Sequence, residues 1–273
     1  MQKLHPAQKI KSSSKEVTFE EDFFNSHGKY VHPTCIIGPH VTLGENVKVG
    51  PFCSIFGNVT IGDNTRIHGY TIIGAPAQVV GQKDSFGTIQ IGKSCELREF
   101  IAVHASRYPD GKTIIGDNCY IMNYCHVAHD VILEHNVTLI NNVNLGGHTH
   151  IEHHVMMMAN SATHQFTRVG SYAALTPFTG IRQDAPPFCI LHKQPGRFAG
   201  LNRIALKRSG FSSEQIDNLN TVTKLWHHKK ISLEEIKEQS KTTPWGSDTN
   251  VQYFLKFIEK SKRGVSKKSV LDT

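Results

Sequence analysis

The chain has 273 residues, 38 % of them hydrophobic and 19 % charged, with 22 glycines spread along it. That composition excludes disorder and allows one large domain or two ordinary ones. A net charge of +7 favours an acidic partner such as a nucleotide phosphate, an acidic protein or nucleic acid. No apolar run among Lys3, Lys9, Lys11 and Lys15 marks a leader, no stretch reaches the roughly 20 apolar residues of a membrane span, and the expected location is cytoplasmic.

Residues 1–29 read as an added arm, with one short helix around Phe19–Phe24. Over residues 30–195 an aliphatic side chain returns every sixth position, first at Val31, Ile37, Leu43, Val49, Ile55, Ile61, Ile67 and Ile73. A small or β-branched residue follows four places later, as at Cys35, Val41, Val47, Cys53, Val59, Thr65 and Thr71. The register breaks over 75–88, resumes at Ile91, Leu97 and Val103, breaks over 104–113, and then runs from Ile115 to Ile181. Ordinary amphipathic strands alternate with period two, so a sustained period of six points to a mainly β fold, a left-handed parallel β-helix. Each hexad supplies a strand and a turn, and three hexads close a triangular coil. Coils stack about 4.8 Å apart with both members of each aliphatic pair inside. Cys35, Cys53, Cys95, Cys119 and Cys125 fall in the second inward slot and no CxxC occurs, so they read as core residues.

Pro186-Pro187 ends the repeat, and residues 196–273 read as a helical domain with a basic tail. Ser212-x-x-Gln215 and Ser232-x-x-Glu235 have the form of capping boxes. Leu219, Val222, Leu225 and Trp226 lie at helical spacing, as do Tyr253, Phe254 and Phe257. The segment Lys260–Thr273 reads as frayed. Between Ala185 and Ser213 there is no acidic residue, while Lys193, Arg197, Arg203, Lys207 and Arg208 all fall there.

A coil of three hexads makes stacked positions computable. His129, Gly147 and Gln165 share one position, Asp130 and His148 the next, and Gly146 and His164 the one before. His129, Asp130, His148 and His164 therefore gather at one corner over three coils, with His126 on the approach. Histidine is suited to take a proton near neutral pH, Asp130 could fix its tautomer, and Gly147 leaves an N–H open to a developing oxyanion.

The strings His126-Val-Ala-His129-Asp130, Asn141-Asn-Val-Asn-Leu-Gly-Gly147-His148 and Thr163-His164-Gln165-Phe166 resemble the acyl-carrier-protein-dependent acyltransferases of nucleotide sugars, most of all the UDP-N-acetylglucosamine O-acyltransferases of lipid A synthesis. Gln183-Asp184-Ala-Pro186-Pro187 and Asn202-x-x-x-Leu206-Lys207-Arg208-x-Gly210-Phe211 extend the resemblance over about residues 31–262. It implies a homotrimer with active sites between prisms, transfer of a 3-hydroxyacyl chain to the sugar 3-hydroxyl, and no nucleic acid partner. His129 would be the general base, Asp130 its orienting group and Gly147 the oxyanion donor. His126, His148, His164, Gln165 and Gln78 would contact the sugar and its phosphates, and Asn202 and Arg208 the nucleotide. The donor would arrive on the phosphopantetheine arm of acyl carrier protein, an acidic partner for Lys193, Arg197, Arg203 and Lys207; no bound cofactor and no metal are implied.

The sequence departs from the family at Val79, Gly81 and Ile204, where an aspartate, a lysine and a glutamate are usual. Thr176-Pro177 replace a glycine pair at the acyl-pocket wall, with Ala174 nearby in place of a larger residue. Proline and threonine there imply shorter acyl chains, of about ten or twelve carbons rather than fourteen. Two alternatives compete. One is an N-acyltransferase acting on a nucleotide amino sugar, favoured by Val79. The other is a zinc-dependent protein of γ-carbonic-anhydrase type, for which His148 and His153 supply the His-x-x-x-x-His spacing.

Overall fold

In a computed structural model the described residues are 28–81, 87–228 and 231–267. The arm's proposed helix at Phe19–Phe24 lies outside them. Short parallel strands form three sheets, and each strand pairs with one a coil away. The first face opens with Tyr30–Val31, the second with Ile36–Ile37 and the third with Val41–Leu43. Val31 pairs with Val49, Ile37 with Ile55 and Leu43 with Ile61, so partners are always three hexads apart here. Inward residues such as Val49, Ile55, Ile67, Leu97, Val127, Leu139 and Ile151 are fully buried.

From Asn46 onward most corners are turned by one residue in left-handed backbone, and the prism spends few glycines on it. Asn64, Tyr70, Asn118, Tyr124, Asp130, Asn136 and His148 all have φ between 56° and 63°. Asparagine and aspartate tolerate that conformation through local hydrogen bonds; for tyrosine and phenylalanine it costs about 1–2 kcal/mol. Stacking offsets the cost where aromatic corners align: Phe52, Tyr70, Phe100 and Tyr124 form a column with ring centres 5.0–5.1 Å apart. The cysteines of the second inward slot donate weakly to corner carbonyls, Cys53 to His68 at 3.1 Å and Cys125 to Ile140 at 3.2 Å. Burial pushes these two thiols up, to about 12 and about 11.

Both breaks in register leave the prism at one corner, between the second and third faces. The first runs from Ile72–Ala75 to Thr88–Ile91, the second from Ala102–His104 to Lys112–Ile115. The same corner carries His129.

Two sequence expectations need correction. Residues 197–201 are a strand, not the start of a helix: Arg197–Leu201 runs antiparallel to Cys189–His192, which extends the first face. Helices follow at Arg203–Arg208 (α1), Ser213–His228 (α2), Leu233–Ser240 (α3) and Thr249–Glu259 (α4). Ser212 and Gln215 bond reciprocally ahead of α2, and Ser232 and Glu235 cap α3 the same way. The tail is not frayed over 261–267. Asp184 is buried and organises it: its N–H donates to Gly264 O at 2.8 Å, its Oδ2 accepts from Ser261 Oγ at 2.7 Å, and its carbonyl accepts from Ser266 N–H at 2.9 Å. Tyr253 of α4 reaches the prism as well, donating to the buried carboxylate of Glu152.

Candidate active site at the corner between the second and third faces

Strand His126–Val127 lies on the second face with Val127 inward, and the chain then turns through Ala128, His129 and Asp130 toward the third face. Asp130 sits at φ 61° with its N–H on Thr113 Oγ1 at 2.8 Å. One coil on, Gly146, Gly147 and His148 occupy the same turn, and one further on His164, Gln165 and Phe166. A Cβ on Gly147 would lie 2.6 Å from Cε1 of His129, and a Cβ on Gly146 would lie 2.6 Å from the backbone N of Gln165. Only glycine leaves the histidine its place.

Nδ1 of His129 is 2.8 Å from Oδ2 of Asp130, so Nδ1–H donates, and in the neutral ring the lone pair is on Nε2. Asp130 also accepts from the Ser106 hydroxyl and from Arg107 N–H at 3.2 Å, both supplied by the second loop. Burial pushes its carboxyl up, but the bonds from Ser106, His129 and Arg107 and the neighbouring His148 outweigh burial and hold it below the usual carboxylate range. A charged aspartate thus orients the histidine. His148 meets the His129 ring edge-on, with centres 5.1 Å apart, and stacks on Phe166 at 4.5 Å.

A cavity of about 340 Å³ opens beside His129, lined among others by Gln78, His104, His126, Gly147 and Gln165. His104 turns Nδ1 onto Pro76 O at 2.7 Å, and Nε2 of both His104 and His126 is buried without a hydrogen-bond partner. Buried polar atoms left this way point to a polar ligand. Burial, then His104 and His129 beside it, push His126 down to about 4, so the ring is neutral at neutral pH.

Of the residues singled out in the sequence, His126, His129, Gly147, Gln165 and Gln78 line this cavity, and Asp130 stands directly behind it. His148 and His164 lie outside its lining. Asn202 and Arg208 lie elsewhere in the same chain: Asn202 is buried with Nδ2 on Tyr172 O at 2.9 Å, at the corner between the third and first faces, and Arg208 ends α1, exposed. Ala174 is on the first face, with Thr176 and Pro177 on the turn toward the second. Lys193 and Arg197 belong to the hairpin; Arg203 pairs with Asp217 at 3.2 Å and Lys207 is exposed.

Coil arithmetic missed His104, Ser106 and Arg263. The first two stand at or inside the second loop, after which the period resumes a whole hexad late: Ala102 pairs with His126, further along than one coil reaches. Arg263 is delivered by the docked tail, with Nη2 3.3 Å from Nδ1 of His164. Ligand atoms of His129, Asp130 and His148 lie within 4.8 Å of one another, as do those of His135, His153 and His154. His148 and His153, spaced like a zinc pair, sit on different corners and do not converge.

Two family models match. One, described as UDP N-acetylglucosamine O-acyltransferase, domain 2, covers residues 184–266; the other, bacterial transferase hexapeptide (six repeats), covers 40–75 and 112–147. A Myxococcus xanthus protein named acyl-(acyl-carrier-protein)–UDP-N-acetylglucosamine O-acyltransferase is 37 % identical, over 87 % of this chain and 99 % of its own length. A Thermodesulfovibrio yellowstonii protein of the same name is 35 % identical, over 86 % of this chain and 91 % of its own. Among solved structures, the Bacteroides fragilis UDP-N-acetylglucosamine acyltransferase superposes with a TM-score of 0.80 at 27 % identity, covering 87 % of this chain and 100 % of that one. The Francisella novicida enzyme gives 0.79 at 27 % identity, covering 89 % and 95 %.

Proposed function

The chain belongs to the acyl-(acyl-carrier-protein)–UDP-N-acetylglucosamine O-acyltransferase family, and from that premise we infer that its acyl transfer takes place at the His129 corner. The enzyme is an acyltransferase that moves an acyl group from acyl carrier protein to UDP-N-acetylglucosamine. Nε2 of His129 takes the proton of the sugar 3-hydroxyl while Asp130 stabilises the imidazolium that forms. The freed oxygen attacks the thioester carbonyl, and the Gly147 N–H receives the oxyanion of the tetrahedral intermediate. Collapse breaks the carbon–sulfur bond, and the departing phosphopantetheine thiolate takes the proton back from His129. The observation that carries this reading is the 2.8 Å contact of His129 Nδ1 with Asp130, which assigns Nδ1–H to the carboxylate and turns Nε2 toward Gly147 as the nitrogen able to take a proton.

His126, His104, Gln165 and Gln78 hold the sugar in this reading, and His164, backed by Arg263, meets the polar part of the nucleotide. Asn202 and Arg208 belong to the nucleotide end, yet lie on another corner of the prism, so a second copy must supply them. A head-to-tail ring satisfies this, of three as the resemblance implies. The column Phe52, Tyr70, Phe100 and Tyr124 is about half exposed in one chain and offers an apolar edge for such a ring to cover. Lys193, Arg197, Arg203 and Lys207 receive the acidic carrier protein, Thr176, Pro177 and Ala174 border the acyl chain, and the reaction as proposed uses no bound cofactor. We place it in the cytoplasm; among the described residues no helix is long and apolar enough to cross a membrane.

The test is incubation with UDP-N-acetylglucosamine and a series of 3-hydroxyacyl carrier proteins, with product masses read directly. A product carrying one acyl group, released again by mild base as an ester, is expected. A base-stable amide, or no product with any donor, would overturn the reading.

A further inference from the structure

His135, His153 and His154 stand at the corner between the third and first faces, across the prism from the acyl-transfer corner. Each brings one ring nitrogen within 4.8 Å of the others, and Nδ1 of His153 and Nδ1 of His154 share a 2.9 Å hydrogen bond, whose proton a bound ion would replace. Two nitrogens held about 2.0–2.1 Å from one cation, at right angles, are about 2.9 Å apart. The rings are fixed before any ion arrives. His153 stacks on His135 with centres 5.0 Å apart, and His154 stacks on Tyr172 at 4.7 Å. Glu134 accepts from His153 N–H at 3.0 Å and bonds His150 at 2.8 Å, which anchors the turn. Nε2 of His154 faces the Asn136 side-chain amide at 3.3 Å; with that amide turned over, its oxygen accepts from Nε2–H and Nδ1 is left to bind, the outer contact that ligating histidines use.

We propose that His135, His153 and His154 bind a divalent transition-metal ion of the zinc, nickel and copper class, at a site distinct from the His129 corner. Imidazole nitrogens are ligands these ions prefer. The ion would clamp two successive coils at the corner where Tyr172 meets Phe211 of the helical domain.

The test uses full-length, tag-free protein stripped with a chelator, titrated with Zn²⁺ by calorimetry and with Co²⁺ in the visible range. One equivalent per chain is expected, with affinity reduced at least about tenfold in both His135→Ala and His154→Asn and unchanged in His129→Ala. Asparagine is suited to position 154 because Asn46, Asn64, Asn118 and Asn136 hold the same left-handed corner. At saturating UDP-N-acetylglucosamine, kcat should be equal with and without the ion, because the His129 corner holds none of the three ligands. Absence of binding, or binding that survives His154→Asn and vanishes in His129→Ala, would overturn the proposal, the latter by moving the ion to the other corner.

Discussion

Gly147 and His129 stand one coil apart, so close that a methyl group on Gly147 would lie 2.7 Å from Nε2 of His129, the nitrogen proposed to accept the proton. Gly147→Ala should therefore behave like loss of the base: kcat down by about 10²–10⁴, as for His129→Ala, with the melting temperature little changed. Gly147 is not in left-handed backbone, so alanine there is not conformationally strained. Steady-state kinetics on both variants is the check; Gly147→Ala at a tenth of wild-type kcat or more would remove His129 from the role of base.

A second copy should be able to complete the site. His129→Ala and Arg208→Ala, each poor alone at low UDP-N-acetylglucosamine, should regain about a quarter of wild-type activity when co-expressed in equal amounts, because random rings contain that share of intact corner pairs. Activity equal to the mean of the two single variants would mean that His129 and Arg208 of one chain serve the same substrate. Arg208→Ala alone should raise KM and spare kcat, the signature of a contact made equally in ground and transition states.

Stability should fall with acid earlier than carboxylates alone explain. His126 is pushed from its ordinary value down to about 4, first by burial and then by His104 and His129, and burial also lowers His104. A histidine depressed in the fold binds its proton more readily when unfolded, so this stability is fully present above about pH 6.5 and is lost as pH falls toward about 4. The melting temperature of wild type should drop across that window, and His126→Gln should flatten the drop. An identical profile for the variant would show that His126 is not held neutral.

Asp184→Ala should undo the docking of the tail. Its buried carboxylate accepts from Arg168 N–H at 2.8 Å and Ser261 Oγ at 2.7 Å, and removing it should cost about 1–3 kcal/mol of stability. With the tail released, Arg263 leaves His164, so KM for the nucleotide sugar should rise while kcat holds. Arg263→Ala should reproduce the KM effect without the loss of stability, and Arg263→Lys should recover part of it. Equal KM values in all three would leave Arg263 with no part in binding.

Pro177→Gly should shift donor preference toward longer chains. Pro177 is exposed on the turn after strand Ala174–Leu175, and its ring takes space that glycine would leave open. A blocked methylene is worth roughly 10–200-fold in specificity. Competition among ten-, twelve-, fourteen- and sixteen-carbon donors measures it; wild type already favouring sixteen, or a profile unmoved by the substitution, would free position 177 of that role.

The β-helix was legible because its physics is periodic: one inward pair per hexad fixes where every strand lies, and a coil of three hexads fixes which corners stack, including Gly147 over His129. The same arithmetic fails wherever the chain leaves the period. His104 and Ser106 could not be placed by it, and the hairpin of Cys189–His192 and Arg197–Leu201 was hidden because two prolines and a glycine at 196 resemble a domain boundary. The docked tail was hidden for another reason. Its hold on the prism comes from the buried Asp184, far earlier in the chain, and composition reads a basic segment as solvated.

The pairing pattern also bears on how the protein is made. Each strand of the prism hydrogen-bonds to one laid down a single coil earlier, as Val49 does to Val31. Where a loop intervenes the partner lies only that loop further back, as for Ile121 with Leu97 and Leu97 with Ile67. A nascent chain therefore never has to wait for a distant segment: every new hexad emerging from the ribosome finds its partner already in place, and assembly can advance at the pace of synthesis. The contact of Tyr253 with Glu152 must wait for α4, and the clamp on Asp184 for the residues that follow it.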